Sequence, residues 1–300
     1  MSGNRRGGGQ RGSGGSGGQR GSGGGGQRGS GGRGGSGRGG PHRGKPSTPG
    51  RLPNGGDQLE GRNVVYEALA RKRRKVRRIR LDERAKPNEK LAGILAFAAE
   101  MGVPVARVPR ETLDRDSFTG VHNGILAEAD PLPENTVRGL LADCANRGEY
   151  PFVVLVDEVQ YEHNLGAILR SALGAGVHAV IVPTRRGKGL TPVVQRVAMG
   201  GAEEVELIRE GLSSALATLR RAGVRVVGAD MDGAPCWATP MTGPLAVVLG
   251  GEDKGLSQTL RERCDAIVSV PLSRGLDSLN VSVTAGVLLF EKVRQEAALQ

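Results

Sequence analysis

Three stretches of this 300-residue chain gather residue types that can do chemistry in one place. The first runs Asp157-Glu-Val-Gln-Tyr-Glu-His-Asn164-Leu-Gly-Ala-Ile-Leu-Arg170-Ser. The second is Leu249-Gly250-Gly251-Glu252-Asp-Lys-Gly255-Leu-Ser257, and the third is Val270-Pro-Leu272-Ser-Arg-Gly-Leu-Asp-Ser278-Leu279-Asn280-Val-Ser282. Each follows an apolar run and leads into a segment of helical periodicity. Gly250 and Gly251 let a backbone approach a ligand closely. A helix N-terminus adds unpaired N–H groups. Arg170, about one and a half turns beyond Asn164, can point back over the same mouth. Singly, each feature has a plain explanation. Gly250-Gly251 is a tight turn, Arg170 a surface arginine, Ser278 an N-cap of the final helix. Their recurrence after three separate strands points to a site.

The elements that must position these loops follow from hydrophobic periodicity. Strands are expected at 152–156, 178–182, 205–208, 224–228, 245–249 and 266–270. Helices are expected at 134–146, 165–175, 191–199, 212–222, 256–263 and 280–297. This alternation predicts a parallel sheet with helices on both faces. The strands are unbroken apolar runs, as in strands buried on both sides. Ligands of such sheets bind beyond the carboxyl ends of the strands. Upstream, helices at 62–70 and 88–101 and strands near 76–81, 103–108 and 123–127 read as a small α/β domain over 57–130. Residues 131–150 read as a linker and first helix, and 151–300 as the larger domain.

The net charge of +11 is unevenly distributed. Residues 1–56 carry ten Arg or Lys, no Asp or Glu, and about half of the 50 glycines. The rest of the chain is nearly neutral. Gln-Arg-Gly-Ser recurs at 10–13, 19–22 and 27–30. Such a tail cannot bury enough apolar area to offset its ordering entropy, so it reads as disordered. Its arginines would attract phosphates in a salt-dependent way, or the tail is a solubilising linker. No run of 18 apolar residues predicts a membrane span, and no signal-peptide core is present. Cys144, Cys236 and Cys264 are far apart, with no C-x-x-C. That argues against a disulfide framework or a cysteine zinc site and for a reducing cytoplasm. Asp157 and Glu158 form no metal constellation.

N-L-G-A-I-L-R-S-A, L-G-G-E-D-K-G-L-S and V-P-L-…-S-L-N-V-S-V resemble the three motifs of the SpoU/TrmH family, the RNA ribose 2′-O-methyltransferases of the SPOUT class. Leu59-Glu-Gly-Arg-Asn-Val-Val-Tyr-Glu-Ala-Leu69 and Val121-His-Asn-Gly-Ile125 are similar to the family's L30e-like RNA-binding domain. The resemblance implies a trefoil-knotted catalytic domain, S-adenosyl-L-methionine (AdoMet) as methyl donor, no metal, and a homodimer with its active site near the subunit interface. The final helix is apolar nearly all round from Val281 to Phe290, which fits burial on several sides.

Carried onto this chain, the resemblance places AdoMet against Leu249, Gly250, Gly251, Val270, Leu272 and Leu279. It implies catalytic roles for Asn164, Arg170, Glu252, Ser278 and Asn280. Arg170 matches the family's proposed base or activator. A guanidinium holds its proton too tightly to be a base. The favoured role is therefore a clamp on a phosphate and on the developing alkoxide. Asn164 would fix that loop, and Glu252 would orient Asn164 or Arg170 or balance charge. Ser278 and Asn280 would shape the third loop. Ala172-Leu173 departs from the family's usual Ala-Asp, at a position read as structural. His122 and His163 are also read as structural.

Three surfaces are candidates for RNA. The basic run includes Arg71, Lys72, Arg73 and Arg74. Arg185, Arg186 and Lys188 follow a strand near the mouth. The tail is the third. The expected substrate is a 23S rRNA guanosine, alone or in an assembling large subunit. A tRNA enzyme, a resistance-type adenosine methylase and a non-catalytic assembly factor are the alternatives.

Overall fold

The computed structural model describes residues 50–185, 189–251 and 255–299. The tail reading for 1–49, and the assignments of Arg186, Lys188 and Glu252, lie outside them. Residues 50–56 belong to the body rather than to the tail. Gly50 is buried, and a Cβ there would lie 2.5 Å from the Pro192 ring. Arg51 pairs with Asp57 at 2.8 Å.

The small domain is built from β1 (Asp57–Glu60), α1 (Arg62–Arg71), β2 (Val76–Asp82), α2 (Glu89–Glu100), β3 (Val105–Val108), α3 (Arg110–Asp116) and β4 (Ile125–Ala129). Its sheet runs β1-β4-β2-β3, with β2 and β3 parallel and the other pairs antiparallel. Asn88 caps α2 by accepting from the Leu91 amide at 2.8 Å. Val65, Leu69, Ile79, Ile94 and Ile125 fill the core. β1 and α3 are additions to the sequence reading. Both are short and mostly polar, so periodicity alone does not reveal them.

The larger domain follows as α4 (Val137–Arg147), β5 (Phe152–Val156), α5 (Glu162–Ala175), β6 (Ala179–Val182), α6 (Pro192–Ala198), α7 (Gly201–Glu204), β7 (Glu206–Arg209), α8 (Leu212–Arg221), β8 (Arg225–Pro235), β9 (Leu245–Leu249), α9 (Gln258–Arg261), β10 (Ala266–Ser269) and α10 (Val281–Ala297). Six parallel strands run in the order β10-β8-β9-β5-β6-β7. β5 and β9 are buried at every residue. Alternate strand residues feed two cores. Val154, Val180 and Val247 pack under α5 and α10, while Val153, Ile181 and Val248 pack with residues of α4 and α8. The expected parallel sheet with helices on both faces is what the chain forms.

Three departures matter for the site. α5 begins at Glu162, so Asn164 stands in its first turn rather than in the preceding loop. β8 runs on to Pro235, and its register against β10 jumps from Gly228 to Ala234. Residues 230–233 therefore bulge out of the ladder with β10, while Ala229 stays paired with Leu249 of β9. The N-cap of α10 is Asn280, not Ser278. Within the single chain α10 buries one side. Ala285, Leu288 and Leu289 face the core, while Val283, Val287 and Phe290 are exposed.

Candidate active site

Beyond the carboxyl ends of β8, β9 and β10 lies a cleft of about 720 Å³. Leu249, Gly250, Gly251, Val270, Leu272 and Leu279 all line it, together with Ser278 and Asn280. These residues converge because three parallel strands end side by side. Its volume lies in the usual range for small-ligand and cofactor sites.

The wall is built from close backbone approach. A Cβ on Gly250 would lie 2.1 Å from the Gly255 carbonyl carbon and 2.3 Å from the Leu256 nitrogen. Gly251 and Gly255 exchange two backbone hydrogen bonds, at 3.0 and 3.1 Å, which close the loop on itself. A Cβ on Gly251 would meet the Asp157 carbonyl at 3.4 Å, so the second loop abuts the first. The glycines exceed the needs of a tight turn. They bring two strands of backbone to the edge of a cleft that a flat, polar-edged nucleoside could occupy.

Asn280 ties the third loop to the first. Its Nδ2 donates to Asn164 Oδ1 at 3.1 Å. Its Oδ1 accepts from the Ser282 amide at 2.9 Å and the Ser282 hydroxyl at 2.6 Å, capping α10. Arg170 lies further along α5 and is exposed; among the described residues no hydrogen bond or ion pair holds its guanidinium. Tyr161, the N-cap of α5, also lines the cleft with its ring largely exposed. Asp230, in the β8 bulge, lines it too and is held by Arg261 at 3.1 Å. The sequence reading missed Tyr161 and Asp230. Tyr161 lay within a stretch already singled out, and its place at a strand end was its signal.

The basic run is corrected. Arg74 is fully buried, ion-paired with Glu203 and 3.2 Å from Asp57, with Gln195 accepting a further bond at 2.8 Å. A guanidinium enclosed by two carboxylates cannot face RNA. Arg73 is spent on the Glu203 and Glu204 carbonyls and on Glu206. Arg71 pairs with Glu67 and Glu204, and Lys72 with Glu100 at 3.0 Å, while both keep exposed surface. Arg185 is exposed. Arg84, Arg110 and Arg115 are more exposed, though they too pair, with Glu83, Asp82 and Asp116, and Phe118 is exposed on the same domain. Scattered as they are, no run in the sequence marks them.

The loop carrying Phe118 is pinned from below. Glu60, completely buried, accepts from Ser117 Oγ, Thr119 Oγ1 and the amides of Phe118 and Thr119. Burial pushes the Glu60 carboxyl up, but the bonds from Thr119, Gln58, Phe118 and Ser117 outweigh it and hold the pKa below the ordinary carboxylate value. Arg196 of α6 reaches across to Thr119 Oγ1 at 3.0 Å. His122 is buried, with Nε2 2.8 Å from Asp114 and Nδ1 accepting from the Gly124 amide, which is a structural arrangement. All three cysteines are free thiols. In a smaller cavity of about 410 Å³ beside β7, Arg51 pairs with Asp57 and Arg73 with Glu206, while Arg209 donates to the Thr184 carbonyl at 3.1 Å.

A parallel α/β sheet with a glycine-walled cleft at its carboxyl edge, preceded by a separate small α/β domain, defines a two-domain, ligand-binding α/β protein. Residues 151–290 match the SpoU rRNA Methylase family, and residues 58–134 match the family described as RNA 2′-O ribose methyltransferase substrate binding. The chain belongs to the SpoU rRNA methylase family. It is 40% identical over 245 residues to the 23S rRNA (guanosine-2′-O-)-methyltransferase RlmB of Pseudomonas putida, covering 80% of this chain and 96% of that protein. It is 38% identical over 219 residues to the RlmB of Escherichia coli K12, covering 71% and 88%. A crystal structure of an RNA 2′-O ribose methyltransferase superposes with a TM-score of 0.67 at 26% identity, over 81% of this chain and 89% of that one. The SpoU methyltransferase AviRb of Streptomyces viridochromogenes, solved with AdoMet, shares the fold at a TM-score of 0.68 and 22% identity, over 82% and 92%.

Proposed function

We propose that this protein transfers the methyl group of AdoMet to the ribose 2′-hydroxyl of a guanosine in 23S rRNA. The observation that carries the reading is the convergence of the three motif loops on one glycine-walled cleft, with Arg170 exposed on the helix whose first turn holds Asn164. The relatives that act on 23S rRNA guanosine match nearly their whole length, small domain included. That favours rRNA over a tRNA substrate.

AdoMet supplies, when bound, an electrophilic methyl on a sulfonium. The backbone of Leu249, Gly250 and Gly251 and the segments at Val270, Leu272 and Leu279 would hold it. The chain's remaining task is to align the ribose oxygen and ease loss of its proton. Arg170 offers a permanent cation that clamps a phosphate and stabilises charge developing on the oxygen. Asn164 and Asn280 fix the mouth at which that oxygen must stand. Ser278, exposed beside Asn280, is placed to contact the ribose or the cofactor. Glu252 is proposed as an orienting carboxylate, and the C-terminal chain is read as knotted.

RNA would lie across the seam between the domains, over Arg84, Arg110 and Arg115 and towards Arg185. The exposed Val283, Val287 and Phe290 face of α10 would close against a second copy, as a homodimer. An rRNA substrate places the work in the cytoplasm. The test is incubation of the protein with methyl-labelled AdoMet and either unmethylated 23S rRNA or tRNA, followed by nuclease mapping. Label on one 23S guanosine ribose is expected; label on tRNA alone would overturn the rRNA assignment.

A further inference from the structure

Arg74 closes a connection from the small domain to the backbone that carries Arg170. Its guanidinium is fully buried and reaches Glu203 of α7, Gln195 of α6 and Asp57 of β1. Glu203 is itself almost completely buried. Arg73, the preceding residue, donates to the Glu203 and Glu204 carbonyls at 3.3 and 3.0 Å, capping the end of α7. Arg71 takes the Glu204 carboxylate at 3.1 Å. Three arginines of one short run, Arg71, Arg73 and Arg74, therefore converge on one four-residue helix.

That helix is pressed against the backbone of α5. A Cβ on Gly201 would lie 2.4 Å from the Leu169 carbonyl oxygen and 3.1 Å from the Arg170 nitrogen. On the other side, Gly200, at φ 95°, leaves no room for a Cβ beside the Glu67 carboxylate of α1. α7 is thus wedged between the small domain and the residue pair Leu169–Arg170. Packed elements of this kind do not deform continuously, so a shift on one side is felt on the other.

We propose that the Arg74–Glu203 pair is a positioning device for Arg170, fixing α7 against α5 so that docking of the small domain sets where the Arg170 guanidinium stands. The inference rests on the reading of Arg170 as the group that acts at the ribose. It gives the basic run a task that differs from RNA contact. A buried arginine that makes four hydrogen bonds to two carboxylates and an amide specifies one docking geometry. Misplacing a catalytic group by a fraction of its contact distance lowers the rate steeply without weakening substrate binding in proportion.

The test compares the full-length protein with Glu203→Gln, Arg74→Lys and Arg73→Ala. Arg73→Ala removes the α7 cap and leaves the buried pair intact, so it folds even where Glu203→Gln does not. Two quantities are read: the single-turnover methylation rate at saturating RNA, and amide hydrogen exchange of residues 165–171. The expected result is a rate lower by roughly tenfold or more in Glu203→Gln, with AdoMet affinity unchanged. Arg74→Lys should recover part of that rate, and Arg73→Ala should show a smaller loss of the same sign. Exchange in 165–171 should rise in the same order. An unchanged saturated rate with only a higher KM for RNA would overturn the proposal, since the pair would then merely hold the small domain. Unchanged exchange in 165–171 would overturn it too, whether or not the protein methylates RNA. A wild-type protein without activity whose exchange still rises in the variants would instead overturn the methyltransferase reading.

Discussion

Asn280 Nδ2 donates to Asn164 Oδ1 at 3.1 Å, joining residues 116 positions apart at the rim of one cleft. The same Asn280 side chain caps α10 through its oxygen. One amide therefore starts the last helix and fixes the first turn of α5, on which Arg170 stands.

Replacement of Asn280 should separate these two tasks. Asn280→Ala loses the cap and the bridge, costing about 1 kcal/mol of stability and most of the methylation rate. Asn280→Ser keeps a capping oxygen but cannot reach Asn164. It should unfold near the wild-type temperature and still be slow. Thermal unfolding and single-turnover rates read the two effects, and a fully active Asn280→Ser would refute the bridging role.

Gly250→Ala should cost AdoMet binding. The added methyl would stand 2.1 Å from backbone that has no room to move without opening the 250–256 loop. Calorimetry should show affinity lower by about tenfold or more, roughly 1.4 kcal/mol, with the circular dichroism spectrum retained. Wild-type affinity in that variant would place the cofactor elsewhere.

Glu60 makes the small domain sensitive to acid. Its folded pKa lies below the ordinary value, so its contribution is complete above about pH 4.3 and is lost as pH falls through the folded value. Glu60→Gln should cost about 1–3 kcal/mol at pH 7 through unsatisfied donors. The gap from wild type should narrow as pH drops below 4. Urea unfolding at several pH values measures it, and a gap that stays constant would contradict the assignment.

Val287→Lys and Phe290→Lys place charge on the exposed apolar face of α10. If that face joins two copies, sedimentation should show a dimer for wild type and a monomer for either variant. A wild-type monomer at micromolar concentration would contradict the dimer.

The cleft was legible in the sequence because its pieces are contiguous. Leu249-Gly250-Gly251 sits at the end of β9 and Ser278-Leu279-Asn280 in the loop from β10 to α10, and a parallel sheet brings such strand-to-helix loops to one edge. The plain reading of Ser278 as an N-cap falls because Asn280, two residues on, caps α10; both residue types make good caps, and only backbone geometry separates them. The reading of Arg74 as RNA-facing failed for another reason. Its partner Glu203 is 129 positions away, and composition does not say which arginine of a run turns inward. The extension of β8 past Gly228 was hidden likewise, since Asp230, Asp232 and Gly233 lack strand character and are held by distant residues, the two aspartates by Arg261 and the Gly233 carbonyl by Ser269 of β10.

Arg170→Ala separates cofactor binding in the cleft from action on the ribose, read by AdoMet calorimetry and by mass spectrometry of 23S rRNA nucleosides after reaction. AdoMet affinity should be unchanged, the wild-type protein should yield 2′-O-methylguanosine, and the variant's rate should be lower by about a hundredfold or more. Arg170→Ala methylating guanosine at the wild-type rate would contradict the action of Arg170 on the ribose.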